Sequence, residues 1–323
     1  MMRVFRSPEE VREWEPSRPL WATLGTFDGL HQGHRYLIFE LMERARQWPP
    51  PAVSLVITFQ LHPKVILAQA PPRPILTLEH KLKLLEEMGV DATLLLTFDE
   101  HLSKVAPEAF VREWLVERLE VSGVLLGYDA RFGHKAQGDF ALLARLAKEH
   151  GFDAVQGQEV HVDGAPVSST RIREALAAAN LETAQRLLGR PYSVLGTVVE
   201  GERRGRSIGF PTANLAVPHE LPIPTGVYGV RVRRLPESLA EAGTSWGVAN
   251  LGYRPTVEEA KPSPTLEVHL LDFDADLYET RIEVEFFTAI RGEKKFPSLQ
   301  ALKEQIARDK DTFERWIEAN ERG

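Results

Sequence analysis

The chain of 323 residues contains no cysteine, which excludes disulfides, thiolate metal ligands and thiol nucleophiles, so any metal must sit on oxygen or imidazole. No stretch approaches the roughly 18 apolar residues of a membrane span. The opening segment, Met1 to Pro16, is too charged for a secretory apolar segment, so a cytoplasmic protein is expected. Basic charge is also short. With 39 Lys plus Arg against 46 Asp plus Glu the formal charge is −7, so there is no global excess of the kind that drives non-specific binding to nucleic acid. There is no internal repeat, and the Pro-rich pieces at 49–51 and 71–74 read as rigid turns. What remains is an ordinary globular composition, 43% hydrophobic and 26% charged, which sets aside disorder and fibrous repeats. At about 100 to 200 residues per domain, the length suggests two domains.

Through the first half, short apolar runs alternate with amphipathic stretches. Residues 20–24, 53–59, 93–98 and 124–126 read as buried strands, and 34–46, 78–88, 107–119 and 139–150 carry apolar residues at helical spacing. That alternation predicts a Rossmann-like α/β domain with a parallel sheet, whose ligands bind at the carboxyl ends of the strands. After Gly189 the pattern changes to strand candidates at 194–199, 226–232, 246–251, 266–271 and 282–287, separated by Gly, Pro and charged loops. These predict an antiparallel barrel or sandwich, closed by one or two helices over 299–319. Gly189 and Pro191 punctuate the chain after the helical stretch 171–188, and the expected domains are 1–186 and 187–323.

Five constellations have chemical potential. The run Gly25-Thr26-Phe27-Asp28-Gly29-Leu30-His31-Gln32-Gly33-His34 lies between the first of these buried strands and the first of these helices. A phosphate chain there would meet helix N-terminal N–H groups, with Gly29 and Gly33 allowing close approach and the two histidines donating to phosphate oxygens. For an isolated pair, one helix cap and one surface histidine is the plainer reading; position at a strand end reverses the preference. Ser168-Ser169-Thr170-Arg171-Ile172-Arg173 precedes good helix formers. It resembles an N-cap, but two arginines in a first turn oppose the helix dipole, which an anion would relieve. The loop from Gly127 to Gly138 brings Asp129 for a ribose or amide contact and Arg131 and Lys135 for anions, a weak signal alone.

In the second half, Gly201, Gly205 and Gly209 punctuate a basic loop able to cover a polyphosphate, and Thr212 and Asn214 follow it with oxygen donors suited to Mg²⁺. It is not a Walker loop, since it lacks the Gly-Lys-Ser/Thr ending. Glu267 and His269 share one face of a strand whose other face is Leu266, Val268 and Leu270. Glu267 on a solvated face is the plain reading; beside a substrate hydroxyl it would serve as a base.

Taken together, these motifs resemble the bacterial bifunctional riboflavin kinase/FMN adenylyltransferase family, from about Leu20 to about Asp309. The elements are Thr-Phe-Asp-Gly-x-His-x-Gly-His at 26–34, Thr-Phe-x-x-His-Pro at 58–63, Ser-Ser-Thr-x-Ile-Arg at 168–173, Gly-Phe-Pro-Thr-Ala-Asn at 209–214, Gly-Val-Tyr at 226–228 and Gly-Val-Ala-Asn-Leu-Gly at 247–252. Each is moderately specific; their ordered co-occurrence is very specific. The resemblance implies a nucleotidyltransferase followed by a small antiparallel six-stranded β-barrel kinase with a C-terminal helix. Riboflavin and ATP would give FMN, and FMN and ATP would give FAD and pyrophosphate.

It further implies that His31 and His34 hold ATP phosphates in a nucleotide site with Gly25, Phe27, Asp28, Gly33 and Asp129. Ser169, Thr170 and Arg173 would stabilise the leaving pyrophosphate. In the kinase, Gly205 and Gly209 would border the nucleotide, Thr212 and Asn214 would bind Mg²⁺ and nucleotide, and Glu267 would be the base on the ribityl 5′-hydroxyl. The expected partners are these small molecules, with no nucleic acid and no membrane, on a monomer or weak homo-oligomer. Ala130, Leu61 and Glu279 depart from the family pattern, standing for an aromatic, a Pro and a Gly. The rivals are a His-x-Gly-His enzyme acting on another substrate, including a tRNA-charging enzyme with an RNA-binding barrel, disfavoured by the acidic balance, and a flavin sensor that kept the fold.

Overall fold

The structure, a computed structural model, describes residues 1–15, 17–63, 65, 71–200, 210–217, 220–235, 243–254, 263–271, 273 and 277–320. The chain divides into two compact units, Met1–Ser169 and Thr170–Gly323.

The first unit is built on β1 (Arg3–Phe5), β2 (Leu20–Leu24), β3 (Val53–Phe59), β4 (Ala92–Leu96), β5 (Gly123–Leu126) and β6 (Asp153–Gln156), in the order β1-β4-β3-β2-β5-β6 with every pair parallel. Its main helices are Gln32–Gln47, Leu78–Glu87 and Phe140–His150. A fourth begins as Pro107–Ala109 and widens into a π-wound stretch, Phe110–Arg118. The sequence reads that region as one regular helix. The widening shows where the Leu119 N–H reaches the Trp114 carbonyl five residues back. The β3 and β4 runs are buried along almost their whole length because helices cover both faces of a parallel sheet. The strands absent from the sequence reading, β1 and β6, lie at the two edges, where a short, partly exposed strand carries no apolar run. A small hairpin, β7 (His161–Val162) and β8 (Ala165–Pro166), follows.

The chain places β3 and then β4 on one side of β2, and β5 and then β6 on the other. The order therefore reverses between β2 and β5, and the loops leaving their carboxyl ends diverge there. This is the crevice where open α/β sheets bind ligands. The second strand of that pair is held close to β2 by Gly123, since a Cβ at this residue would lie 2.3 Å from the Trp21 indole.

The second unit starts with helices Ser169–Ala177, whose first residue closes the first unit, and Leu181–Leu188, the latter packing on β9 and β14. Its strands β9 (Tyr192–Val199), β10 (Ala213–Ala216), β11 (Gly226–Arg234), β12 (Thr244–Arg254), β13 (Ser263–Leu270) and β14 (Arg281–Gly292) close a barrel in the order β10-β13-β12-β11-β14-β9. All pairs are antiparallel. Registers Leu215↔Leu266, Leu251↔Leu266, Ala249↔Val268, Val230↔Phe286 and Val194↔Val284 align buried residues on one inner face. Tyr192 and Tyr228 pack on Phe286 there, at 5.6 and 5.5 Å between ring centroids. Strand β10 escaped the sequence reading because only Leu215 of its four residues is buried.

One helix, Leu299–Asn320, covers part of the outer wall. Phe313 is fully buried against Val227, Val248 and Trp246, and Gly229 makes room for it, since a Cβ there would lie 2.1 Å from the ring. Asp309, also buried, accepts a bidentate ion pair from Arg291 at 2.8 to 3.1 Å and a bond from Gln305.

Glu279, where a glycine is expected, sits at φ 63° in the left-handed region, its N–H bonded to the Val198 carbonyl at 2.9 Å. A side chain costs on the order of 1 kcal/mol in that conformation. Glu279→Gly is therefore expected to stabilise the second unit by about 0.5–1 kcal/mol, less the extra freedom glycine gains in the unfolded chain. Urea unfolding followed by tryptophan fluorescence checks the sign; a clear loss of stability would show that the Glu279 side chain holds the turn.

Candidate functional site

The loop after β2 is held in a conformation that ordinary residues avoid. Phe27 (φ 49°) and Leu30 (φ 42°) are left-handed beside Gly29 (φ 85°), and both non-glycine side chains are buried. Such strain persists where surrounding packing over-determines it. Asp28 supplies part of that packing. Its Oδ1 accepts from the N–H groups of Ile75 (3.0 Å) and Leu76 (3.4 Å), and its carbonyl accepts from the Ser169 hydroxyl (2.9 Å). Asp28 and Ser169, both expected at the nucleotide, thus brace the loop that carries the histidines.

His31 is the N-cap of the Gln32–Gln47 helix, its Nδ1 accepting from the His34 N–H at 3.3 Å. The capping reading and the phosphate reading hold together, because an accepting Nδ1 leaves the proton of a neutral His31 on Nε2. The His31 and His34 rings stack at 3.6 Å and 15°, and Phe27 meets His34 edge-on at 5.2 Å. Gly33 leaves space for this stack, since a Cβ there would come within 3.3 Å of the His31 ring; a Cβ at Gly25 would press on Phe27 at 3.1 Å. His34 Nδ1 is buried with no partner among the described residues. Burial, followed by repulsion from His31 and Lys81, pulls the His34 pKa well below 6.5, so the ring is neutral at pH 7.

Lys81, on the buried face of the Leu78–Glu87 helix, was not among the candidates from sequence. Its Nζ donates to the Thr26 carbonyl (3.2 Å), the Thr58 hydroxyl (3.0 Å) and the Phe59 carbonyl (3.2 Å), at the carboxyl ends of β2 and β3. Burial lowers its pKa from 10.5 to about 8, against the opposing pull of Asp28. Its one sequence signal is a lysine on the apolar face of a helix, between buried residues four apart.

Across the switch point, Asp129 is exposed just beyond β5. Arg131 is paired with Asp139, the cap of the Phe140–His150 helix, at 3.0 Å. Ala130 is partly buried against the first unit's core, and Leu61 is exposed. In the second unit's helix Ser169–Ala177, Thr170 is exposed and Arg173 half-buried.

In the barrel, register decides the site. Glu267 pairs with Asn214 of β10 on one side and with Asn250 of β12 on the other. Directly opposed residues of antiparallel strands share a face, so the three form one polar row. Their neighbours Leu266 and Val268 are buried on the inner face, so the row lies on the outer wall and not in the barrel interior. The segment entering β10 is fastened to the same wall: His269 Nδ1 lies 2.9 Å from the Pro211 carbonyl, and Phe210 meets the His269 ring edge-on at 5.3 Å. This holds Thr212 one residue before β10, half-buried. Asn250 was quoted within a motif but given no role; only the strand pairing puts it beside Glu267. Gly205 and Gly209 lie outside the described residues.

Among the described residues no cluster of three His, Asp or Glu side chains could hold a metal, and no helix is long and apolar enough to cross a membrane. Residues 14–171 match the family model described as FAD synthetase, and 188–317 the one described as riboflavin kinase. The bifunctional riboflavin kinase/FMN adenylyltransferase of Escherichia coli K12 is 42% identical over 96% of both chains. The enzyme of the same description from Haemophilus influenzae is 38% identical over 90% of this chain and 92% of that one. A solved structure from Streptococcus pneumoniae, described as a macrolide-efflux protein, shares the fold with a TM-score of 0.78 and 28% identity, covering 93% of this chain and 95% of that one. With both family models in the same order as the two units, and this identity over nearly its whole length, the chain belongs to the bifunctional riboflavin kinase/FMN adenylyltransferase family.

Proposed function

We propose that the two activities of this enzyme divide at about residues 186/187. Residues 187–323 transfer the γ-phosphoryl group of ATP to riboflavin, giving FMN and ADP, and residues 1–186 transfer AMP from ATP to FMN, giving FAD and pyrophosphate. The observation that carries the kinase half is the place of Glu267 between Asn214 and Asn250 in one row of three strands. A riboflavin hydroxyl is neutral, so its attack gains from a carboxylate that accepts its proton, and Glu267 is that group. Asn214 and Asn250 flank it and orient the ribityl chain and phosphates.

Thr212 and Asn214 offer neutral oxygen donors. That suits Mg²⁺, which keeps several waters and takes much of its coordination from substrate phosphates. When bound, the ion neutralises charge on the phosphates; Thr212 and Asn214 hold it and orient the nucleotide beside Glu267. The basic segment 201–209, with Gly205 and Gly209, borders the nucleotide.

In the first half the nucleophile, the FMN phosphate, is already anionic. Its oxygen attacks the α-phosphorus of ATP and the bond to the pyrophosphate breaks, so positioning and charge stabilisation replace a base. The stacked imidazoles suit this: His31 donates from Nε2 to a phosphate oxygen, and the neutral His34 lies against its ring. Asp129 contacts the nucleotide, and Thr170 and Arg173, with Ser169 at the start of their helix, receive the pyrophosphate. The enzyme acts on these small molecules away from nucleic acid and membrane, as a monomer or weak homo-oligomer.

Incubating the protein with riboflavin, ATP and Mg²⁺ and resolving the flavins by chromatography tests the reading, with FAD as the expected end product. Glu267→Ala should lose FMN formation by at least about 100-fold, as removal of a general base does, while still converting supplied FMN to FAD. His31→Ala should do the reverse and accumulate FMN. Loss of both activities in a folded Glu267→Ala protein would contradict two separate sites. Asn250→Ala is expected to raise the KM for riboflavin or ATP in the kinase step alone; unchanged kinase kinetics would remove Asn250 from the site.

A further inference from the structure

We propose that Lys81 is a positioning residue for adenylyl transfer: its ammonium ties the start of the histidine loop to the end of β3 and sets where His31 and His34 present their donors. The inference rests on the adenylyltransferase reading of the first unit and adds a residue to it. Lys81 is nearly fully buried, and an apolar residue would serve packing on that helix face at far less cost. Its three N–H groups instead meet three neutral oxygens, Thr26 O, Thr58 Oγ1 and Phe59 O. Those partners come from the end of β3 and from the strained loop that follows β2. The Thr58 hydroxyl also donates to the same Thr26 carbonyl at 3.2 Å. One carbonyl thus receives two bonds at the point where β2 ends, five residues before His31.

The position has an electrostatic consequence. The titratable groups facing Lys81 from the loop are Asp28, which favours its charge, and His34, whose pKa is lowered first by burial, then by repulsion from His31 and from Lys81; His31 stacks on His34. His80 is its neighbour on its own helix, and His62 lies three residues past Phe59. A desolvated cation with a pKa of about 8 is the kind of group that gains a proton when a polyphosphate arrives nearby. Below pH 8 the charge is present and the tie holds all three bonds. Above it, one N–H is lost and with it both a bond and the field on His34.

The experiment compares wild type, Lys81→Met and Lys81→Arg, following FAD formation from FMN and ATP between pH 6 and 9.5, with riboflavin phosphorylation as the control for folding. Imidazole NMR of the ligand-free proteins gives the His34 pKa. Lys81→Met should lower kcat for FAD formation by 10-fold or more with riboflavin phosphorylation within twofold of wild type, and the His34 pKa should rise. Wild type should lose adenylylation as pH passes about 8. Lys81→Arg, charged throughout the range, should lack that alkaline limb even if its longer fork lowers the rate. Wild-type kcat in Lys81→Met, or an unchanged alkaline limb in Lys81→Arg, would overturn the proposal, and the arginine variant decides if the methionine variant does not fold. If wild type makes no FAD at all, the adenylyltransferase reading fails by itself. The His34 titration then still judges Lys81, with an unchanged pKa in Lys81→Met counting against it.

Discussion

The carboxyl end of β2 is the point on which the first unit's chemistry depends. Because β3 pairs on one side of this strand and β5 on the other, the chain leaving Leu24 has no neighbouring connection lying over it. That opening lets ten residues turn, cap a helix and stack two imidazoles. The turn is costly: left-handed Phe27 and Leu30 each store on the order of 1–2 kcal/mol, and the charged form of Lys81 is disfavoured by about 3 kcal/mol. These costs are offset by the bonds of Asp28, Ser169 and Lys81 to the same short loop. Donors held in place in this way need no reorganisation when charge shifts beside them.

The barrel solves a different problem. Its interior is lined by Tyr192, Tyr228, Phe286 and aliphatic residues. The polar row lies on the outer wall, part of which is taken by the Leu299–Asn320 helix through Phe313 and Trp316. Asn214 and Glu267 lie on β10 and β13, Asn250 lies farther along β12 than the Trp246 and Val248 that meet the helix, and His269 fastens the segment that carries Thr212. The polar row therefore sits on a scaffold whose register cannot slip by one residue without exchanging its polar and apolar faces.

Much of this was legible in the sequence. The runs at 20–24 and 53–59 are strands over those same residues, because a strand buried on both faces must be apolar throughout. The edge strands Arg3–Phe5 and Asp153–Gln156 were not legible, because an edge position asks little of side chains. Glu279 is a converse case: its departure from glycine was visible, and its left-handed backbone shows what the glycine would be for. Lys81 could not be singled out, since a lysine at a helix position reads as surface until the opposing carbonyls are placed. Asp28 and Ser169 stood out in the sequence, but their residue types suit a ligand and a brace equally well, and only the fold shows the bracing bonds.

The amino-acid sequence by itself determined the two-part architecture and the chemistry available, because hydrophobic period and the order of motifs are local properties that survive without a fold. It places two histidines after an apolar run in the first half and a carboxylate with oxygen donors in the second. The tertiary structure alone decided which side chains meet. Asn250 faces Glu267 through strand pairing across 17 residues of chain, and Lys81 reaches Thr26 across 55. Such contacts depend on how strands order themselves in a sheet, which no local pattern of residues encodes.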